Sequence, residues 1–239
     1  MIQLLTFDLD NTLWETEPVV AAAEKILLDW LERQAPLFTR NLDSDARRAL
    51  RKQVLAIDPE LRHRVTDLRI AVLRHGLRQA GYPEAEASAL ALQGFDVFLE
   101  ARHAVELFPH AEPLLAELSR HFALATISNG NADVRRLGLD KYFQAIVSAD
   151  EVGISKPAPE PFLAALQRVG VEPANALHIG DHPSDDVLGA RSVGMGSLWF
   201  NRHRTPWPEE HQRPDGEVHC LSEIGGWVTA FNTTDGTQR

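Results

Sequence analysis

The feature that most limits what this chain can fold into is its opening, an apolar run, Ile2-Gln3-Leu4-Leu5-Thr6-Phe7, broken at once by Asp8-Leu9-Asp10-Asn11-Thr12. A continuous apolar run of strand length, closed by an abrupt polar turn, reads as a buried parallel strand whose carboxyl end opens onto something. The pattern returns further on. Phe122-Ala123-Leu124-Ala125-Thr126-Ile127 ends at Ser128-Asn129-Gly130, and Ala145-Ile146-Val147 leads to the loop Gly153-Ile154-Ser155-Lys156-Pro157. Ala176-Leu177-His178-Ile179-Gly180 ends in Asp181-His182-Pro183-Ser184-Asp185-Asp186, and Ser197-Leu198-Trp199-Phe200 is a last strand. Helical patterns over 113–120, 162–169 and 187–193 separate these runs. Strands alternating with helices predict an α/β fold on a parallel sheet, in which ligands bind outside the carboxyl ends of strands.

Between the first strand and the second lies a long stretch with helical periodicity and few strand signals. Val19-Val20 through Ile26-Leu27-Leu28, Trp30 and Leu31 form one amphipathic stripe, ended near Pro36. Asp43 or Ser44 can begin a second helix that runs to about Ile57, and a third runs from about Val65 to Leu77 and stops at Gly81-Tyr82-Pro83. A fourth starts near Glu84 and carries Leu90, Phe95, Phe98 and Leu99. A structureless connection of this length inside a compact domain is implausible. The stretch therefore predicts an inserted four-helix domain over 15–107, with 1–14 and 108–239 forming the α/β core. The tail from Asn201 is rich in Pro, Gly and charge; 222–231 reads as one last helix, and the final residues are expected to fray.

Composition narrows the function classes. The chain of 239 residues carries a net charge of −10 and shows no basic stripe, which argues against nucleic acid or an anionic membrane as partner. No stretch approaches the roughly eighteen uninterrupted apolar residues of a membrane span, and no secretory signal is visible. The single cysteine, Cys220, cannot form an internal disulfide and suits a reducing, cytoplasmic setting.

The polar clusters at the strand ends are weak signals one at a time. Asp10, Asn11 and Thr12 suit a helix N-terminus, Ser128-Asn129-Gly130 is a good turn, and Gly180-Asp181 can also be a turn. Gathered at one edge of one sheet, they place several carboxylates and one ammonium, Lys156, around a single crevice. That many acids do not stay ionised and adjacent without a cation. Oxygen-only ligands point to Mg²⁺, which keeps several waters and accepts substrate phosphate as a ligand.

Asp8-Leu9-Asp10-Asn11-Thr12, Ser128, Lys156-Pro157 and Gly180-Asp181 with Asp186 resemble the four ordered motifs of the haloacid dehalogenase superfamily, in its phosphatase branch. The helical stretch resembles the four-helix cap that this superfamily inserts after the first motif. More narrowly, Asn11-Thr12-Leu13-Trp14, Val65-Thr66 with Arg69, Ile127 to Asn131 and Leu177 to Asp181 resemble the bacterial phosphatases of riboflavin metabolism. Those act on FMN and on the phosphorylated ribitylaminouracil intermediate.

The resemblance implies a set of roles. Asp8 is the expected nucleophile, forming an aspartyl-phosphate and splitting a slow hydrolysis into two easier steps. Asp10 is expected to protonate the leaving oxygen and then take a proton from the attacking water. Ser128, Asn129 and Gly130 are expected to hold the phosphoryl oxygens, and Lys156 to neutralise charge. Mg²⁺ is expected on Asp8, the Asp10 backbone carbonyl, Asp181 and Asp186, with Asp186 preferred over its neighbour Asp185. With Asp10 protonated, Mg²⁺ and Lys156 together cancel the charges of Asp8, Asp181 and Asp186, leaving a neutral site for an incoming phosphate. Trp14 can stack on a flat substrate ring or pack at a hinge. Arg69 can reach a substrate or belong to a solvated face.

The expected activity is thus Mg²⁺-dependent hydrolysis of a small-molecule phosphate ester by a monomer or weak dimer. A 2-haloacid dehalogenase is the first alternative; it needs the nucleophile but neither Asp10 nor the metal. A phosphosugar mutase, which returns the phosphoryl group to a bound sugar, is the second.

Overall fold

β1 (Leu4–Phe7) is buried along its whole length because it has a parallel neighbour on each side. In the computed structural model, which describes residues 1–235, it pairs with β2 (Ala123–Ser128) and β4 (Ala176–Gly180). β3 (Ala145–Ser148) flanks β2, and β5 (Gly196–Phe200) and β6 (Gly216–Val218) follow β4, so the parallel sheet runs β3-β2-β1-β4-β5-β6. Strand order reverses where β1 meets β4. The carboxyl ends at that reversal are where such sheets bind ligands. The expected α/β sheet with an inserted helical cap is the architecture found. β6 was not foreseen: its three residues pair only at the edge and carry no apolar run.

The described chain divides into two compact units, Met1–Glu15 with Glu106–Arg239, and Thr16–Val105. The helical unit contains α1 (Thr16–Gln34), α2 (Pro36–Asn41), α3 (Ser44–Ile57), α4 (Val65–Ala80) and α5 (Glu84–Arg102). Its core gathers Leu27 and Leu31 of α1, Phe38 of α2, Leu50 of α3, Leu73 and Leu77 of α4, and Phe95 and Phe98 of α5. The short α2 departs from the expected four helices. Pro36 ends α1 but also opens α2, since proline in a first helical turn forfeits no intrahelical bond. Asp43 begins α3 by accepting from the Ala46 N–H at 2.8 Å, and α4 ends on Gly81 at φ 110°, a conformation that favours glycine.

In the sheet unit, α6 (Ala111–Leu118), α7 (Ala149–Val152) and α8 (Pro159–Val169) join the strands. After β4 the expected helix over 187–193 is a π-helical turn, Pro183–Leu188, followed by α9 (Gly189–Ser192). α10 (Ile224–Asp235) closes the described chain, and the expected fraying of the final residues lies outside it.

Candidate active site

Asp8 follows β1 directly, and its backbone N–H still bonds across to Ile179 of β4 at 2.9 Å. The chain then turns tightly through Asn11, which takes φ 63°, a conformation asparagine tolerates. The turn brings Trp14 back under Asp10, so that the Trp14 indole N–H donates to Asp10 Oδ1 at 2.9 Å. Thr12 donates to Asp8 Oδ2 at 3.3 Å. Trp14 is fully buried.

The carboxyl end of β2 delivers Ser128, whose Oγ accepts the Gly130 N–H at 3.0 Å and keeps its own O–H to donate. Asn129 does something its expected role did not include. Its Oδ1 accepts the Lys156 N–H at 2.8 Å and its Nδ2 donates to the Lys156 carbonyl at 3.1 Å, clamping the lysine loop to the end of β2. Gly130 lies against Asp10: a Cβ there would meet Asp10 Oδ2 at 2.2 Å.

Lys156, preceding a cis bond to Pro157, is the centre of charge. Its Nζ donates to Asp8 Oδ1 at 2.7 Å and to Asp186 Oδ1 at 2.6 Å, and all three side chains are buried. Asp186 reaches this position because Gly180 leaves room; a Cβ on Gly180 would lie 2.2 Å from Asp186 Cγ. Of the two adjacent acids, Asp186 meets Lys156, while Asp185 accepts from Asn129 Nδ2 at 3.3 Å. Asp181 completes a triad in which Asp8, Asp181 and Asp186 each offer an oxygen, all within 4.8 Å of one another. The Trp199 indole N–H holds the Asp181 carbonyl at 2.7 Å. A tryptophan in the last apolar strand was the available signal for that contact, since a buried indole N–H needs an acceptor.

Asp8, Asp10, Asn11, Asn129, Gly130, Lys156, Asp181, His182, Asp185 and Asp186 line one cleft of about 170 Å³. Arg69 is not among them. It lies in the helical unit, paired with Glu24 at 2.5 Å and stacked 3.6 Å from the Phe98 ring centroid, beside a cavity of about 560 Å³.

The electrostatics follow from one ammonium among several acids. Burial drives the Asp8 carboxyl well above its ordinary pKa; Lys156 opposes this, and Asp186 and Asp181 add to it. Burial and the Asp186 charge push Asp181 up to about 7. For Asp186, burial is outweighed by Lys156 and His178, which hold it below the usual carboxylate range. Burial also works against the Lys156 charge, but Asp186 and Asp8 prevail and raise it. One lysine thus secures one carboxylate and leaves two wanting a counter-charge. An oxygen-only triad in that condition fits a hard divalent cation such as Mg²⁺.

Residues 2–194 match the haloacid dehalogenase-like hydrolase family. The chain is 32% identical over 199 residues to the 5-amino-6-(5-phospho-D-ribitylamino)uracil phosphatase YigB of Escherichia coli, covering 83% of each protein. It is 33% identical over 248 residues to the phosphoserine phosphatase of Thermus thermophilus, covering 93% of this chain and 98% of that one. Among solved structures, a 2-haloacid dehalogenase from Pseudomonas syringae pv. Tomato superposes with a TM-score of 0.93 at 45% identity, covering 97% of this chain and 100% of that one.

Proposed function

The chain belongs to the haloacid dehalogenase-like hydrolase family, and from that premise we propose that it hydrolyses a small phosphomonoester through an aspartyl-phosphate on Asp8. The observation that carries the reading is Lys156 held between Asp8 and Asp186, with Asp10 secured by Trp14 at the same cleft. An Asp8 oxygen attacks phosphorus, the bond from phosphorus to the ester oxygen breaks, and Asp10 delivers its proton to that oxygen. Water then attacks the aspartyl-phosphate, Asp10 takes the proton, and Asp8 and inorganic phosphate are regenerated. Ser128 O–H and the N–H groups at the end of β2 hold the phosphoryl oxygens, while Lys156 offsets the charge that collects there.

Mg²⁺ bound by Asp8, the Asp10 carbonyl, Asp181 and Asp186 would draw negative charge from the phosphoryl oxygens. In this reading Trp14 acts through Asp10, and Arg69 serves the packing of the helical unit. The likeness to the Escherichia coli phosphatase supports the phosphorylated ribitylaminouracil as substrate, and the resemblance of the motifs to the phosphatases of riboflavin metabolism adds FMN.

The dehalogenase structure supports a second reading, displacement of halide from a 2-haloacid by the same Asp8. That chemistry has no leaving oxygen to protonate and so gives Asp10 nothing to do. A panel of FMN, the ribitylaminouracil phosphate, phosphoserine, phosphoglycolate, sugar phosphates and 2-chloropropionate separates the two. Phosphate release led by the flavin-pathway esters is expected. Chloride release without phosphate release would establish the dehalogenase instead.

A further inference from the structure

Beneath the acids, on the same face of the sheet, lies a polar pair that this reaction scheme leaves unused. Thr6 of β1 and His178 of β4 are direct cross-strand partners, both buried. Thr6 Oγ1 and His178 Nδ1 are 2.8 Å apart, and His178 Nε2 is 3.0 Å from Asp186 Oδ1. The edge of the imidazole packs against the Phe162 ring, with centroids 5.1 Å apart and planes at 87°. A strand side chain two residues on points the same way. Asp8 therefore stands above Thr6, and Gly180, the gap that admits Asp186, stands above His178.

Asp186 has a fixed set of donors. Oδ1 receives Lys156 Nζ and His178 Nε2, and Oδ2 receives the His182 N–H at 2.8 Å. Two donors fill both lone pairs of Oδ1, so the open lone pair belongs to Oδ2. Only one tautomer fits: the proton sits on Nε2, and Nδ1 accepts from the Thr6 hydroxyl.

We propose that His178, oriented by Thr6, is a positioning residue that locks the Asp186 carboxylate and through it holds Lys156 against Asp8. The inference rests on the phosphatase reading for its kinetic consequences, but the orientation itself is independent of substrate. Without the Nε2 donor, Asp186 turns about its side-chain bonds, and the ammonium it shares with Asp8 is no longer fixed.

The test uses the full chain. Nitrogen NMR of the wild-type imidazole at neutral pH should show a ring protonated on Nε2 and unprotonated on Nδ1. His178→Leu should lower kcat about 10- to 100-fold, the loss of one hydrogen bond to a charged group, with KM nearly unchanged because His178 does not touch substrate. His178→Gln, which can place an N–H near the Nε2 position, should recover most of that loss. Thr6→Val, close in shape and without the hydroxyl, should lower kcat less and shift the Nδ1 resonance by removing the hydrogen bond it accepts, with the proton still on Nε2; it also serves where His178→Leu does not fold.

Protonation on Nδ1 in the wild type would overturn the proposal. So would His178→Leu turning over within about threefold of wild type, or a loss that appears in KM and is not rescued by Gln. If the wild type releases no phosphate from any ester, the phosphatase reading fails, and the NMR tautomer alone decides the positioning claim.

Discussion

The two units of this chain are built on opposite terms. The helical unit gathers Leu, Phe and Ala around a core and a cavity of about 560 Å³, and its acids and bases cancel. The sheet unit carries the whole net charge of −10 and concentrates buried acids at a cleft of about 170 Å³. In the first, what matters is that an apolar side chain recurs with the helical period, and many residues can meet that demand. In the second, single atoms have assigned partners, and a neighbour's change is felt at once. Packing in the helical unit is spread over many contacts, whereas the buried acids of the sheet unit are held by a few.

The contrast is broken most directly at Asp8. Asp8→Asn should cut phosphate release by about 10⁴-fold or more while circular dichroism and thermal unfolding stay close to wild type. Turnover near the wild-type rate would remove Asp8 from the mechanism.

Two glycines, one in each unit, sharpen it. A Cβ on Gly130 would meet Asp10 Oδ2 at 2.2 Å, and Gly130→Ala should lower kcat roughly 10- to 100-fold by displacing the acid, with little loss of stability. A Cβ on Gly76 of α4 would meet Leu50 Cδ1 and Phe38 Cε2 at 2.7 Å. Gly76→Ala should cost about 1–3 kcal/mol by overpacking and leave kcat unchanged in the folded fraction. Urea unfolding and steady-state kinetics on both variants would show whether the two losses separate in this way.

A smaller effect concerns cation and pH. The folded-state pKa of Asp181, about 7, lies above its ordinary value of 3.8. Between those values the folded chain holds a proton that the unfolded chain releases. In the cation-free protein this group's effect on stability therefore becomes less favourable as pH rises through that window. A bound divalent cation replaces the proton. Added Mg²⁺ should accordingly raise the melting temperature more at about pH 8 than at about pH 5.5, and chelation should abolish both turnover and the difference. An increment that does not change with pH would count against Asp181 as a ligand.

The smallest change is expected in the helical unit. Arg69→Ala removes the contacts with Glu24 and Phe98 and should cost no more than about 1 kcal/mol, given their partial exposure. KM for FMN should move less than about threefold. A rise beyond tenfold would give Arg69 the substrate contact that its sequence neighbourhood suggests.

Much of the sheet unit was legible because its strands end abruptly in polar residues, and a parallel sheet brings such ends to one edge. Asp8, Lys156 and the acids after β4 could be gathered on that ground, while the preference for Asp186 over Asp185 came with the resemblance to the family. His178 could not, because within a strand a lone histidine reads as an interruption of the apolar run. Only the register with Thr6 gives it a direction. The Trp14 contact with Asp10 was hidden for a similar reason: it depends on a turn through a positive φ at Asn11, which spacing alone does not reveal. In the helical unit the periods were plain and α2 was missed, since Pro36 carries a stop and a start in one residue.

Asn129 has a consequence of its own. By accepting from and donating to the main chain of Lys156, its carboxamide stands in for one more peptide group past the point where β2 stops. The lysine is thereby kept in step with the strand order although no strand carries it. A loop fastened this way can change length on its far side without moving the charge it presents.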